Sequence, residues 1–311
     1  MGLCGPCFMN FSAGGCAMKK DFEAIIKAGW AAVPAAGENL FAQAPSEKAE
    51  ATTKQETLLL AVDMQNDFME GGALGVKGAL ADSRRLSRFL YDNAENIETV
   101  AVTLDTHEPL QIFHSCWWHD PEGREPEPFT VITAQDLDAG RWLPACEPEA
   151  SRTYLLWLAE KGHSPLCIWP YHCLGGTVGC ALEPGFANMV FYHSVARRSP
   201  VLRTVKGTLR TSEFYGAIRP EYSPEGLNTN HSFREQLMQY KTIIVAGEAM
   251  DYCLYETLKQ LFEESESRAQ RVLLLEDCTS SIGPRAEAEA RCQRLAKEYG
   301  LELVKSTDRV L

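Results

Sequence analysis

From residue 57 onward, short uninterrupted apolar runs alternate with longer stretches whose apolar positions recur every three or four residues. The runs TLLLAVD (57–63), TVAVTLD (99–105), PVLRTVKG (200–207), KTIIVAG (241–247) and RVLLLED (271–277) read as strands, with LELVKS (301–306) as a last one. A strand with one wet face would alternate apolar and polar residues; TLLLAVD and TVAVTLD do not, so they are expected to be covered on both faces. Helical spacing marks SRRLSRFLYDNAENI (83–97), ASRTYLLWLAEKG (150–162), PGFANMVFYHSVARR (184–198), NHSFREQLMQY (230–240), DYCLYETLKQLFEES (251–265) and GPRAEAEARCQRLAKEYG (283–300). Pro184 and Pro284 stand near helix starts, and Gly162 and Gly300 just past helix ends. Strands alternating with helices predict an α/β fold: a doubly wound, mostly parallel sheet with helices on both faces. Ligands of such sheets bind beyond the carboxyl ends of the strands. Asp63, Asp105, Lys206 and Cys253 all fall at or within a few residues of such ends, on four different strands.

Residues 1–55 have another texture, rich in Ala, Gly, Lys and Glu and ending in APSEKAEATTKQE. They read as an extension and linker with one short helix at about 19–29, before a single domain over 56–311. Between His107 and His172 runs a long segment with paired tryptophans, several prolines and many acids, read as an insertion at about 115–165. A long insertion in a compact domain is usually functional or an interface; here the choice lies between lining an active-site mouth and a solvated excursion.

Composition changes this picture little. Hydrophobic residues make up 45% of the chain and charged residues 23%, enough for a large core. The net charge of −12 argues against nucleic acid or an anionic membrane as partner. Eleven cysteines at irregular spacing suggest a reducing, cytoplasmic setting rather than a disulfide framework. Cys4 and Cys7 form a C-x-x-C beside Cys16, with no fourth ligand at a metal-binding spacing. No apolar run is long enough to span a membrane. MGLCGP has Pro6 where an acylation signal needs Ser or Thr, and MKKDFEAIIKAGW lacks the apolar stretch of a signal peptide.

The strand-end residues can do chemistry together. A thiol is nucleophilic as its thiolate, a neighbouring carboxylate can take its proton, and a lysine can favour both anions. Asp63, Lys206 and Cys253 would fill these roles, although each alone is more often a cap, a solvated cation or a packing residue. A second cluster strengthens the reading. Asp105 and His107 in LDTHEP lie on one side of an extended segment, and His172 in WPYHC can join them. One Asp with two His makes an open site for Zn²⁺, Mn²⁺ or Fe²⁺, with His114 as a possible extra ligand.

The segments AVDMQNDFMEGGAL, LDTHEP, WPYHCLGGTVGCAL, TVKGT followed by EFYGAI, and AGEAMDYCLYETL resemble, in this order, nicotinamidases of the isochorismatase-like cysteine hydrolase superfamily. The resemblance spans roughly residues 57–311 and implies the superfamily's three-layer sandwich. It implies a catalytic triad of Asp63, Lys206 and Cys253, and a divalent metal, zinc first, on Asp105, His107 and His172. It also implies a cis peptide between Glu248 and Ala249, with the Ala249 and Cys253 N–H groups as oxyanion hole. Phe68 and Trp169 correspond best to the rings that sandwich the substrate's pyridine, whose nitrogen the metal grips. The implied activity is conversion of nicotinamide to nicotinate and ammonia through a thioester, serving NAD salvage; the alternative is hydrolysis of another small carboxamide. A homo-oligomer is implied as well.

The chain departs from the pattern in places. Thr106 stands where an aromatic residue is common, Met250 where Thr is usual, and Glu248 where a small apolar residue is expected. A carboxylate beside an oxyanion hole opposes developing charge, unless it points away or pairs with a cation such as Arg203 or Arg210.

Overall fold

The computed structural model describes residues 22–27, 56–264 and 270–311. Its helices are α1 (Phe22–Ile26), α2 (Ala79–Asp92), α3 (Ala134–Asp138), α4 (Pro148–Lys161), α5 (Pro184–Arg197), α6 (His231–Leu237), α7 (Cys253–Glu264) and α8 (Arg285–Tyr299). Its strands are β1 (Thr57–Val62), β2 (Thr99–Asp105), β3 (Trp118–His119), β4 (Val131–Ile132), β5 (Leu143–Pro144), β6 (Leu166–Cys167), β7 (Leu202–Lys206), β8 (Thr242–Gly247), β9 (Arg271–Leu275) and β10 (Glu302–Val304). Six strands make one parallel sheet in the order β10-β9-β8-β1-β2-β7.

The expected doubly wound sheet is present. All six residues of β1 are buried. Leu59 and Ala61 face a core shared with α1, α2 and α5, while Leu58, Leu60 and Val62 face one shared with α6, α7 and α8. That is why the run does not alternate. The edge strand β7 does, turning Thr204 and Lys206 inward and Arg203 and Val205 outward. The chain winds outward from β1 through β2 to β7, then returns to the other side of β1 and winds outward through β8, β9 and β10. The direction reverses between β1 and β8, where such sheets hold their ligands.

Several helix boundaries differ from the sequence pattern, three of them instructively. The helix expected at 83–97 runs from Ala79 to Asp92. The Glu70 carboxylate accepts the N–H groups of Gly78 and Leu80 at 2.6 and 2.8 Å, a cap from well upstream that local periodicity does not show. The helix expected at 230–240 covers His231–Leu237, where the Asn230 side chain accepts the Phe233 N–H. The helix expected from Asp251 begins at Cys253.

The 1–55 extension lies outside the described residues, apart from the stretch holding α1. There Phe22 packs edge-on to Tyr91 with ring centres 5.5 Å apart, and Asn188 donates to the Ile26 carbonyl at 3.2 Å. The segment between β2 and α5 folds rather than straying into solvent. β3 pairs with β5 and β4 with β6, both antiparallel. Trp117 and Trp118 are fully buried, donating to Ser151 Oγ at 2.9 Å and the Ile112 carbonyl at 2.6 Å. With Tyr154, Leu155 and Leu158 of α4 they extend the core on one face of the sheet. Among the described residues no helix is long and apolar enough to cross a membrane, and all eight cysteines are free thiols.

Candidate active site

Sheet register places the first polar residues. Asp105 ends β2 and Lys206 ends β7, and the two are direct register partners. Gly207 follows at φ +81°; a Cβ there would stand 2.3 Å from Asp105 Oδ1 and 2.7 Å from His107 Cε1, so only glycine fits. Asp63 follows the last residue of β1 with φ 49°. Its N–H donates to Thr103 Oγ1 at 3.0 Å, and the same hydroxyl donates to Asp63 Oδ1. The Gln65 side-chain amide clasps Asp105 at both backbone groups, at 2.7 and 2.8 Å, fastening the end of β1 to that of β2.

Lys206 is fully buried. Its Nζ stands 2.7 Å from Asp63 Oδ2, 3.1 Å from Asp105 Oδ1 and 3.3 Å from Cys253 Sγ. Burial works against the lysine's charge, yet Asp105 and Asp63 hold it well above its usual value. Burial pushes the Asp63 carboxyl up, Lys206 pulls it down, and the Asp105 charge raises it again. Burial likewise drives the Cys253 thiol well up, so it rests neutral beside a strengthened base. Cys253 is the first residue of α7, and neither its N–H nor that of Ala249 donates to a protein acceptor among the described residues. The peptide between Glu248 and Ala249 is cis.

Asp105, His107 and His172 bring one ligand atom each within 4.8 Å of one another. His107 Nε2 and His172 Nε2 lie 3.1 and 3.9 Å from Asp105 Oδ2. Their Nδ1 atoms face carbonyls, Gly207 at 3.1 Å and Pro170 at 2.8 Å, which sets the tautomer that leaves Nε2 to a metal. Burial, reinforced by His107, pushes His172 down to about 3, keeping it neutral as a ligand must be. Two carboxylates around one ammonium leave a net negative charge, which favours a cation, and one carboxylate with two neutral imidazoles is a donor set that fits a divalent ion. His114 stands outside this compact set, its ring centre 5.9 Å from that of His107. Its Nδ1 faces the Pro109 carbonyl at 3.1 Å, and its buried Nε2 has no partner among the described residues.

Asp105, His107, His172, Ala249 and Cys253 line a narrow cavity, partly open to solvent, with Phe68 and Trp169 in its walls beside Glu213, Tyr215, Tyr252 and Ile282. Trp169 Nε1 donates to Glu213 Oε1 at 2.9 Å and to the Tyr215 hydroxyl at 3.2 Å. Burial, with Glu221 nearby, pushes the Glu213 carboxyl well up. A larger cleft of about 380 Å³ opens between α8 and the β9–β10 edge. Its cysteine, Cys292, is pushed up to about 11 by burial, against the opposing pull of Arg291 and Arg285.

Sequence reasoning assigned no role to Glu213, Tyr215, Tyr252 or Thr103. The first two lie in EFYGAI and Tyr252 adjoins Cys253, so their segments were visible; what they face was not. Two departures, Thr106 and Glu248, adjoin lining residues but do not line the cavity themselves. Thr106 Oγ1 turns to the Leu104 carbonyl and Cys180. Glu248 pairs with neither Arg203 nor Arg210: its carboxylate oxygen accepts the Ser280 N–H at 3.1 Å, while Arg210 pairs with Glu147 and Arg203 lies over the Phe191 ring.

No family model and no curated protein matches the chain. Solved structures do. A nicotinamidase/pyrazinamidase of Acinetobacter baumanii is 22% identical, with a TM-score of 0.56 over 82% of this chain and 99% of its own. The yeast nicotinamidase bound to the inhibitor nicotinaldehyde is 20% identical, with a TM-score of 0.57 over 80% of this chain and 99% of its own. A protein of L. infantum in complex with nicotinate is 22% identical, with a TM-score of 0.51 over 81% of this chain and 94% of its own. At such identities the likeness establishes a shared fold.

Proposed function

We propose that this protein is a metal-dependent cysteine amidohydrolase that converts nicotinamide to nicotinate and ammonia. The observation that carries the reading is Lys206 Nζ bridging Asp63, Asp105 and Cys253, with Asp105 and Cys253 opening onto an aromatic cavity beside His107 and His172. That nicotinaldehyde and nicotinate occupy two neighbours of this fold supports the choice of a pyridine carboxamide.

Asp63 takes the Cys253 proton as the thiolate attacks the carboxamide carbon. The N–H groups of Ala249 and Cys253 receive the oxyanion, at about 3–4 kcal/mol per donor in comparable sites. Asp63 returns the proton to the departing ammonia, then deprotonates the water that cleaves the thioester. Lys206 holds Asp63 anionic and in place. Phe68 and Trp169 confine the ring. Asp105, His107 and His172 would hold zinc or a similar cation, which supplies when bound a fixed positive charge with an open coordination position.

A second reading, a different small carboxamide, draws on Glu213. Its carboxyl, raised by burial, would serve in its neutral form as a hydrogen-bond donor in the cavity wall and select a substrate bearing an acceptor there. The test is ammonia release from nicotinamide, with and without chelator, by wild type and Cys253→Ala. Release by metal-loaded wild type alone supports the proposal. No release sinks nicotinamide as substrate and sends the assay to a carboxamide panel, and release by Cys253→Ala sinks the mechanism.

A further inference from the structure

Glu248 adjoins Ala249, one of the two free N–H donors, yet its side chain turns from Cys253 into a buried acid cluster. The carboxyl is wholly inaccessible, and its Oε1 receives no hydrogen bond among the described residues. Against it lies the carboxyl of Asp82, in the first turn of α2 and 1% exposed. Asp82 has other partners: Arg85 forms an ion pair with it, and the Ser280 hydroxyl donates to its Oδ2 at 2.5 Å. Two buried carboxyls in contact cannot both be ionised. Asp82 has the cation and the hydroxyl, so the proton belongs on Glu248. Burial, followed by the Asp82 charge, also pushes Glu248 well up, and Arg285 is the cation that opposes this.

The cluster joins three elements. The 278–283 loop grips the 247–251 loop along its length: Gly247 N–H donates to the Cys278 carbonyl at 3.1 Å, and Met250 N–H to the Ser280 carbonyl at 2.7 Å. The Asp251 carboxylate takes the Ile282 and Gly283 N–H groups at 3.0 and 2.7 Å. Glu248 carries this grip across to α2. We propose that Glu248 is a positioning residue: it shares one proton with Asp82 in a buried carboxyl–carboxylate hydrogen bond, which ties the loop bearing the Ala249 N–H to α2 and to Ser280. Only the catalytic arm of the test rests on the amidohydrolase reading.

Glu248→Gln keeps the shape and replaces the shared proton with a permanent amide donor to Asp82; Glu248→Ala removes the tether. The first readout is hydrogen exchange of the peptide covering residues 247–254, corrected for intrinsic rate, from about pH 5 to about pH 9. The second is kcat and KM over the same range. A carboxyl that is neutral in the fold stabilises most at low pH, and its contribution falls as pH rises toward the raised value. Wild type should therefore lose protection and kcat on the alkaline side, and Glu248→Gln should not. Glu248→Ala should exchange and turn over about tenfold worse at every pH, with KM nearly unchanged. The proposal is overturned if Glu248→Ala matches wild type or if Glu248→Gln is as impaired as Glu248→Ala. Should Glu248→Ala fail to fold, coincident wild-type and Glu248→Gln exchange profiles overturn it alone. If wild type hydrolyses no carboxamide, the amidohydrolase reading falls while the exchange arm still decides.

Discussion

The floor of the cavity and its walls are held by different means. On the floor, Asp63, Asp105 and Lys206 sit at the ends of neighbouring parallel strands; the β2–β7 ladder pairs Asp105 with Lys206, and the β1–β8 ladder pairs Val62 with Gly247. Backbone hydrogen bonds set these positions before any side chain is chosen. The walls are secured by side chains from distant segments: Trp169 Nε1 reaches Glu213, and the Glu213 N–H reaches the Tyr154 hydroxyl of α4 at 3.2 Å. Under the proposed function, chemistry would rest on the sheet and ring selection on the loops around it.

The sharpest break of that comparison is at the floor. Cys253→Ala and Asp63→Asn should each lower kcat by roughly 10⁴-fold or more, with substrate still bound, as seen by single-turnover kinetics beside equilibrium binding. Loss of binding instead would make these residues part of the wall. Next is the metal side: His172→Ala should lower bound metal and kcat/KM by roughly 10–100-fold, checked by metal analysis against activity. Full metal content in that variant would remove His172 from the ligand set.

At the wall, Trp169→Phe deletes the donor to Glu213 and should raise KM roughly tenfold with little change in kcat. A kcat loss as large as that of Asp63→Asn would erase the distinction between floor and wall. The smallest effect lies away from both. His193 is buried with Nε2 2.9 Å from the Ile97 carbonyl, and burial pushes it down to about 4. The fold prefers its neutral form, so its contribution is complete above about pH 6.5 and is lost as pH falls toward 4. His193→Gln should flatten the acid limb of a melting-temperature profile; an unchanged limb would assign acid sensitivity to other groups.

This contrast explains what the sequence disclosed. Apolar runs and helical spacing yield the doubly wound sheet because burial on both faces is written locally, as in Leu58–Val62. Strand-end positions then bring Asp63, Asp105, Lys206 and Cys253 to one crevice. Glu213 and Tyr215 escaped because their place depends on Tyr154 and Trp169, dozens of residues away. The start of α2 escaped because its cap, Glu70, is not adjacent. Glu248 seemed a threat to the oxyanion hole, since the direction of its side chain follows from Ser280 and Asp82, not from its neighbours in sequence.

The central claim, acyl transfer through Cys253, is met most directly by trapping with hydroxylamine during nicotinamide turnover. The account predicts that metal-loaded wild type forms the hydroxamate alongside nicotinate, in a ratio set by hydroxylamine concentration, and that Cys253→Ala forms neither. Nicotinate without any hydroxamate, produced equally by Cys253→Ala, would contradict it.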